Sequence, residues 1–510
     1  MTQRFAAEQK TVGRWGTLLC ALVLAATVLP LYLISFYNHP YYDDFGFSAP
    51  SHSAWQQTGS VGAVLSAALE SARTTRATWQ GTYTGTLFSN IQPGIFSEKL
   101  YFIGSFFLLT AFLLCFFAFF AAAFGAAGLG LERRETTMLS CLTLSLTLQF
   151  MPDTGEAFYW FNGGIGNAFV YSVLALAAAL LLRLCRARER GKAVGLTAAL
   201  ALCMVLLGGG SYGGGLIGLC CMALAMLWLF ARKNPRRWTA AGLWLLFLAC
   251  FLYSMSAPGN GVRAGVIGAH PSAVMAVVQA LYYGVALMGA YLRLPLFGLT
   301  ALLLPCFIRG ARRSALRFDH PWLMLLLLGG LFCVQLVPPL YGGVFIGGGR
   351  IVNTYWISFV VLWLLYAFYL TGFAVKRGKR CSPAEGKEPL APPLRRGLAL
   401  LGCCLVLVGS LGYKKADDPL YGVQNLAGVS AAMSLLNGEA AQYDREMSAR
   451  EALLNDASLP AVTLAPLTVT PAVFMDDLLT PGALYDVRPA LMLYYGKTAI
   501  AVQGEGAARE

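Results

Sequence analysis

The chain has 510 residues, 57% of them hydrophobic and only 12% charged, with a formal net charge of +13. Soluble domains carry about a quarter charged residues, so this composition excludes an ordinary soluble protein and indicates a polytopic membrane protein. Nucleic acid is not needed to explain the basic excess, because Lys and Arg gather at alternate junctions between apolar runs.

Apolar runs of roughly 20 residues, the length that crosses the hydrocarbon, recur along the chain. Spans are expected near 17–37, 100–124, 136–151, 165–184, 193–210, 213–231, 238–255, 290–308, 320–340, 350–373 and 397–412. The first follows a short cytoplasmic segment, 1–16. It has no small-residue cleavage site and is too long for a signal-peptide core, so it reads as a retained span.

Basic clusters fall at Arg4, Lys10 and Arg14; at Arg133 and Arg134; and at Arg183, Arg186, Arg188, Arg190 and Lys192. They continue at Arg232, Lys233, Arg236 and Arg237, at Arg309, Arg312, Arg313 and Arg317, and in the Pro-rich linker 374–396. The positive-inside rule puts these junctions and the N-terminus in the cytoplasm. Because 256–272 then lies outside and Arg309–Arg317 inside, 273–308 makes one net crossing. We expect 273–289 to be an interfacial or re-entrant helix and 290–308 the span. About eleven crossings place the C-terminal segment, 413–510, outside the cytoplasmic membrane. The linker reads as disordered.

The expected fold is thus an all-α bundle over 17–412, with an outer loop at 38–98 and a small C-terminal α/β extracytoplasmic domain at 413–510. In that domain a polar helical stretch, "GEAAQYDREMSAREALLNDAS", precedes a strand-like "AVTLAPLTV", and "ALMLYYGKTAIAV" lies near the end. Within the outer loop, Val64, Leu65, Ala68, Leu69 and Ala72 form one apolar stripe, suited to a helix on the bilayer interface. Arg73 and Arg76, three apart, share a face of that helix. The clusters "GGGSYGGG" and "YGGVFIGGGR" read as tight turns and close helix packing, since no P-loop Lys-Ser/Thr follows. The 13 cysteines include no CxxC pair, and none lies in the outer segments. Neither disulfides nor a zinc site are expected.

Polar chemistry concentrates in the outer segments. Asp43 and Asp44 follow the first span in "FYNHPYYDDFGFS", among Tyr37, Tyr41, Tyr42, Phe45 and Phe47. An aromatic belt of this kind sits at the membrane interface. In an extended segment the two acids point to opposite sides, so one of them faces a site. In "PDTGEAFYWFNGG", Asp153 and Glu156 share a helix face next to Trp160 and Asn162. In "APGNGVR" a turn over Pro258–Gly261, which includes Asn260, leads to Arg263. Arg350 follows a glycine run in the same way. His39 and His270 are lone histidines, usually structural or merely exposed.

This layout, a first span followed at once by a large outer loop opening on Asp-Asp-Phe, resembles the GT-C class of integral membrane glycosyltransferases. "GEAFYWFNGGIGNAFVYS", "SAPGNGVR" and "VRPALMLYYG" look like an uncharacterised bacterial family of that architecture. "GGGSYGGG" departs from the pattern in carrying no acid or amide. The resemblance implies Asp43 and Asp44 as catalytic carboxylates. It is compatible with Asp153, Glu156, Trp160, Asn162, Asn260, Arg263, Arg350, Arg73 and Arg76 as substrate-binding residues. The donor would be a polyprenyl-phosphate sugar and the acceptor a cell-envelope glycan, lipid or protein, with membrane lipids as neighbours. A divalent cation is compatible with two acidic pairs, but arginines can neutralise the phosphate without one. A lipid transporter or flippase is the main alternative, and a non-catalytic assembly protein a third. A transporter calls for ionisable groups at mid-membrane, and the span centres carry almost none, Gln149 and Gln335 being the nearest polar groups.

Overall fold

In a computed structural model the chain is described over residues 2–268, 270–344, 346–381, 426–480 and 486–503. The helices are α1 (Thr2–Ile34), α2 (Asp43–Thr58), α3 (Val61–Thr78), α4 (Tyr83–Asn90), α5 (Phe102–Phe124), α6 (Arg133–Gln149) and α7 (Phe161–Gly166). There follow α8 (Ala168–Leu184), α9 (Arg190–Gly208), α10 (Tyr212–Ala231), α11 (Arg237–Met255), α12 (Pro258–Ile267), α13 (Ala273–Tyr291) and α14 (Leu294–Arg313). The last are α15 (Pro321–Val334), α16 (Val337–Tyr341), α17 (Gly349–Cys381), α18 (Ala427–Leu436), α19 (Glu439–Asn455) and α20 (Arg488–Tyr495), with strands β1 (Ala461–Leu464) and β2 (Ala499–Val502).

Ten helical stretches among the described residues are long and apolar enough to cross a membrane, which makes this a polytopic helical protein. The expected span at 136–151 is not one of them. It is α6, whose 17 residues carry six hydroxyl side chains and are mostly buried. Ser140, Ser145 and Thr147 donate to the carbonyls four residues back, at 2.8 Å each. Satisfied hydroxyls and neighbouring helices remove the need for an apolar surface, so α6 is a central helix packed between α1 and α5.

Residues 273–289, expected as an interfacial or re-entrant helix, are helical. They form α13, a 19-residue apolar helix long enough to span. Its contacts still agree with one net crossing by the pair α13–α14. His270, just before α13, stacks edge-on against Tyr341. Tyr291 at its far end donates to the Val352 carbonyl at 3.4 Å, in the first turn of α17. Then α14 runs down α17, with Phe297 against Trp363 and Phe307 against Phe368, to Arg309 and Arg313. Those arginines pair with Glu135 at the opposite end of the bundle, and Arg313 also reaches Glu132 at 2.8 Å. The other basic junctions meet at that end too. Arg186 donates to the Ala122 carbonyl at 3.3 Å, Arg236 to that of Ala187 at 3.1 Å, and Lys376 to that of Ser314 at 3.0 Å.

The linker expected from residue 374 begins as helix, since α17 continues to Cys381. The expected span 397–412 lies outside the described residues. Further along, α18 packs on α1 and α6; a Cβ on Gly428 would come within 2.5 Å of the Thr27 carbonyl. The glycine cluster 208–215 serves close packing, as its composition suggests. A Cβ on Gly208 or Gly209 would lie 2.3 Å from Cys250 or Tyr83.

β1 and β2 pair in parallel, and each buries alternate residues. Val462, Leu464, Ile500 and Val502 face a core completed by Leu491 and Tyr494 of α20 and by Phe45 and Ala49 of α2. A unit this small has too little interior of its own, and it takes α2 as part of its core. Thus α2, which begins with the two aspartates, is held between the bundle and the C-terminal unit.

Candidate functional site

The first span ends in a tether. Asn38 donates to Ser105 Oγ at 3.0 Å and to the Tyr159 carbonyl at 2.7 Å, fixing the exit of α1 against α5 and the turn 155–159. Tyr42 then takes φ +40°, a region that non-glycine residues seldom occupy, and α2 starts at once. Asp43 and Asp44 are therefore helical and not extended. About 100° of rotation separates adjacent helical residues, and here it is enough to give the two carboxylates different roles.

Asp44 is completely buried. It accepts from the Tyr41 N–H at 3.1 Å, from the Asn162 N–H at 2.9 Å and from the Tyr101 hydroxyl. Tyr101 in turn accepts from the Phe161 N–H at 2.9 Å and lies 3.2 Å from the Tyr159 carbonyl. Burial is the largest influence on the Asp44 carboxyl, pushing it up to about 7 against the pull of these donors. Of the two aspartates expected as catalytic, Asp44 is the buried one, and its hydrogen bonds tie the start of α2 to Tyr101 and to the start of α7.

Asp43 is half-buried and faces outward from that lock. Burial raises its carboxyl above the usual range, while Arg350, Arg263 and the Asn162 side chain act against the rise. Asn162 is held by Ser89, whose hydroxyl donates to its Oδ1 at 2.6 Å. Arg350 lies over the Trp160 ring, 5.0 Å from its centroid, and Trp160 packs edge-on against Tyr41. Arg263 donates to Gln80 at 2.8 Å and lies 5.5 Å from the Trp79 ring centroid.

The second acidic pair sits at the start of α17. Asp153 Oδ1 accepts from the Glu156 N–H at 2.8 Å, and Glu156 Oε2 accepts from the Arg350 N–H at 2.7 Å. Asn353 clamps Asp153 from both sides, accepting from its N–H at 2.9 Å and donating to its carbonyl at 2.6 Å. A Cβ on Gly349 would lie 2.3 Å from Asp153 Oδ2, so glycine permits this approach. The acids stand at a helix N-terminus, where the backbone dipole favours negative charge. Burial, and then the neighbouring Glu156, raise the Asp153 carboxyl.

The remaining sequence candidates divide. Asn260 lies not in a turn but in the first turn of α12, where Pro258 occupies a position that needs no N–H. Its amide is fully used, accepting from Gly81 and Tyr212 and donating to the Ser254 and Met255 carbonyls. Arg76 joins α3 to the end of α11 through the Tyr253 carbonyl at 3.1 Å and the Tyr253 ring at 4.1 Å. Arg73 is exposed and pairs with Glu70. Asn260 and Arg76 therefore hold α12, which carries Arg263, against its neighbours, and Arg73 stands apart. The apolar stripe of α3 is split: Val64 and Ala68 pack against protein, while Leu65 and Leu69 are exposed.

Other residues join the site without having been singled out from the sequence. Asp476, on the C-terminal unit, is exposed and acts electrostatically on Tyr41 and Asp153. It begins another Asp-Asp pair, whose other member, Asp477, is held by Arg450 at 2.6 and 3.0 Å. The doublet alone does not single it out, because Asp-Asp recurs at 43–44, 417–418 and 476–477. A separate cavity of about 650 Å³, lined by Arg317, His320, Lys376 and Arg377, lies towards the opposite end and takes no part in this arrangement. The site combines one half-buried carboxylate, two guanidiniums and a second acidic pair. It can accept a proton and receive an anion within one locus.

Comparison with known proteins finds no match: no family model, no curated protein and no solved structure is similar to this chain.

Proposed function

We propose that the protein is a membrane glycosyltransferase of the GT-C kind, moving a sugar from a polyprenyl-phosphate donor to a cell-envelope acceptor on the outer face of the cytoplasmic membrane. The observation that carries this reading is the setting of Asp43, a half-buried carboxylate under the influence of both Arg263 and Arg350. Transfer from such a donor needs a base for the acceptor hydroxyl and positive charge for the departing phosphate.

In this reading Asp43 takes the proton of the acceptor hydroxyl, and the oxygen bonds to the anomeric carbon. The bond from that carbon to the phosphate oxygen breaks, and polyprenyl phosphate leaves with the electron pair. Arg263 and Arg350 receive the charge that develops there. Trp160 orients Arg350 from below, and Asn162 orients Asp43. Exposed apolar side chains beside the site, Val262, Val266 and Ile267 on α12 and Leu65 and Leu69 on α3, suit a lipid-bearing donor.

The test is transfer of labelled sugar from polyprenyl-phosphate donors by the purified full chain in lipid. Donor-dependent transfer to an envelope glycan or lipid supports the proposal. No transfer from any donor, together with movement of lipid between leaflets, replaces it with a flippase.

A further inference from the structure

Three carboxylates from distant parts of the chain gather around one buried histidine, apart from the Asp43 locus. His39 is 7% exposed. Its Nε2 bonds to Asp444 Oδ1 at 2.9 Å, and its Nδ1 is buried with no partner among the described residues. A buried ring nitrogen without a partner is costly, and such cases are rare. Glu98 and Glu451 complete the cluster: one ligating atom from each of His39, Glu98 and Glu451 lies within 4.8 Å of the others. The Tyr495 hydroxyl donates to Glu98 Oε1, which leaves Oε2 free. Glu98 and Glu451 also line a cavity of about 60 Å³ between the first outer loop and the C-terminal unit.

We infer that His39, Glu98 and Glu451 form a binding site for a first-row divalent cation, zinc or manganese, with Asp444 orienting the imidazole. One imidazole with carboxylates suits these ions better than magnesium or calcium, which prefer oxygen alone. The carboxylate on the far ring nitrogen is the usual outer partner of a ligating histidine. Ligands at ~2.1 Å from a tetrahedral ion are ~3.4 Å apart, so the half-buried Glu451 closes the site with a small rotation. The absence of a CxxC pair bears on thiolate sites, whereas this one is built from nitrogen and oxygen. An ion here clasps α19 to the exit of the first span, closing the C-terminal unit over α2.

The experiment uses the purified full chain, stripped with a chelator and re-equilibrated with buffered zinc or manganese chloride. Metal content and thermal midpoint are then read. The wild type is expected to retain about one ion per chain and to melt higher with metal. Glu451→Gln, at a half-buried position, and His39→Ala should each lose the ion and the shift. Asp444→Ala should weaken affinity by about 10–100-fold. If the wild type retains no ion, or if both ligand variants retain as much as the wild type, the site does not exist. These readouts do not depend on sugar transfer, so failure here is distinct from failure of the glycosyltransferase reading.

Discussion

The backbone N–H of Asn162 donates to Asp44 Oδ1 at 2.9 Å, while the side chain of the same residue supports Asp43. One residue thus holds the buried aspartate and serves its half-buried neighbour. Moving α2 by a turn would break both contacts together. The two acids are consequently separable by experiment, although they are adjacent in the chain.

Asp44 should govern stability with a distinctive pH dependence. Its folded pKa is raised to about 7, against about 3.9 for an unperturbed Asp. Between those values the native state holds a proton that the unfolded chain has lost. Stability from this group is therefore full below the ordinary value and falls as pH rises towards 7, by on the order of 4 kcal/mol. In Asp44→Asn that component should vanish, leaving a flatter profile of thermal midpoint between pH 4 and 7. An unchanged slope would remove Asp44 as its source.

Gly349→Ala should disrupt the start of α17. The new methyl would sit 2.3 Å from Asp153 Oδ2 and 2.6 Å from Asp153 Cβ, and the Asn353 clamp prevents easy retreat. Overpacking of this kind costs about 1–3 kcal/mol. We expect a lowered thermal midpoint and weaker donor binding through a displaced Arg350. Normal values of both would show that the Asp153 clamp yields.

Arg76 and Arg73 share a helix and should behave differently. Arg76→Ala removes both the carbonyl contact and the ring contact with Tyr253. It should speed hydrogen exchange across 61–78 and weaken the seat of Arg263. Arg73→Ala should change stability by less than about 0.5 kcal/mol, because its pair with Glu70 is solvent-exposed. Equal effects of the two variants would contradict this assignment.

Orientation is open to a direct check. Reporters placed after Gly130 or Pro235, at the basic end of the bundle, should report cytoplasm, and one after Gln503 the exterior. A reporter at Gln503 on the cytoplasmic side would separate the C-terminal unit from an outward-facing site.

Much of the site was legible in the sequence because charge is scarce in this chain and therefore informative. Asp43, Asp153, Glu156, Arg263 and Arg350 were singled out for standing in outer segments, and they meet around Trp160 and Asn162. Asp44 was legible as part of a pair but not as the buried member, since burial depends on Tyr101 and Asn162, far along the chain. The structural bonds of Asn260 were not legible, because its four hydrogen-bond partners, Gly81, Tyr212, Ser254 and Met255, come from three places in the fold. The helix at 133–149 could be read from its apolar residues, yet its central position depends on hydroxyls that satisfy themselves locally. Asp476 and the His39–Glu98–Glu451 cluster were hidden because their partners lie hundreds of residues apart.

The central claim is that Asp43 is the base and that Asp44 only supports it. It is tested most directly by the turnover of Asp43→Asn, measured as labelled sugar transferred by purified protein beside the wild type. Loss of a general base costs about 10²–10⁴-fold, and the thermal midpoint should hold because Asp43 locks no element in place. Since burial raises the Asp43 carboxyl, the acid limb of wild-type turnover should lie above the ordinary carboxylate value. Arg350→Lys should transfer poorly through loss of two-pronged phosphate contact. Turnover of Asp43→Asn reduced by at least a hundredfold, in a protein that still melts like the wild type, is the predicted result. Full turnover in that variant would contradict the account.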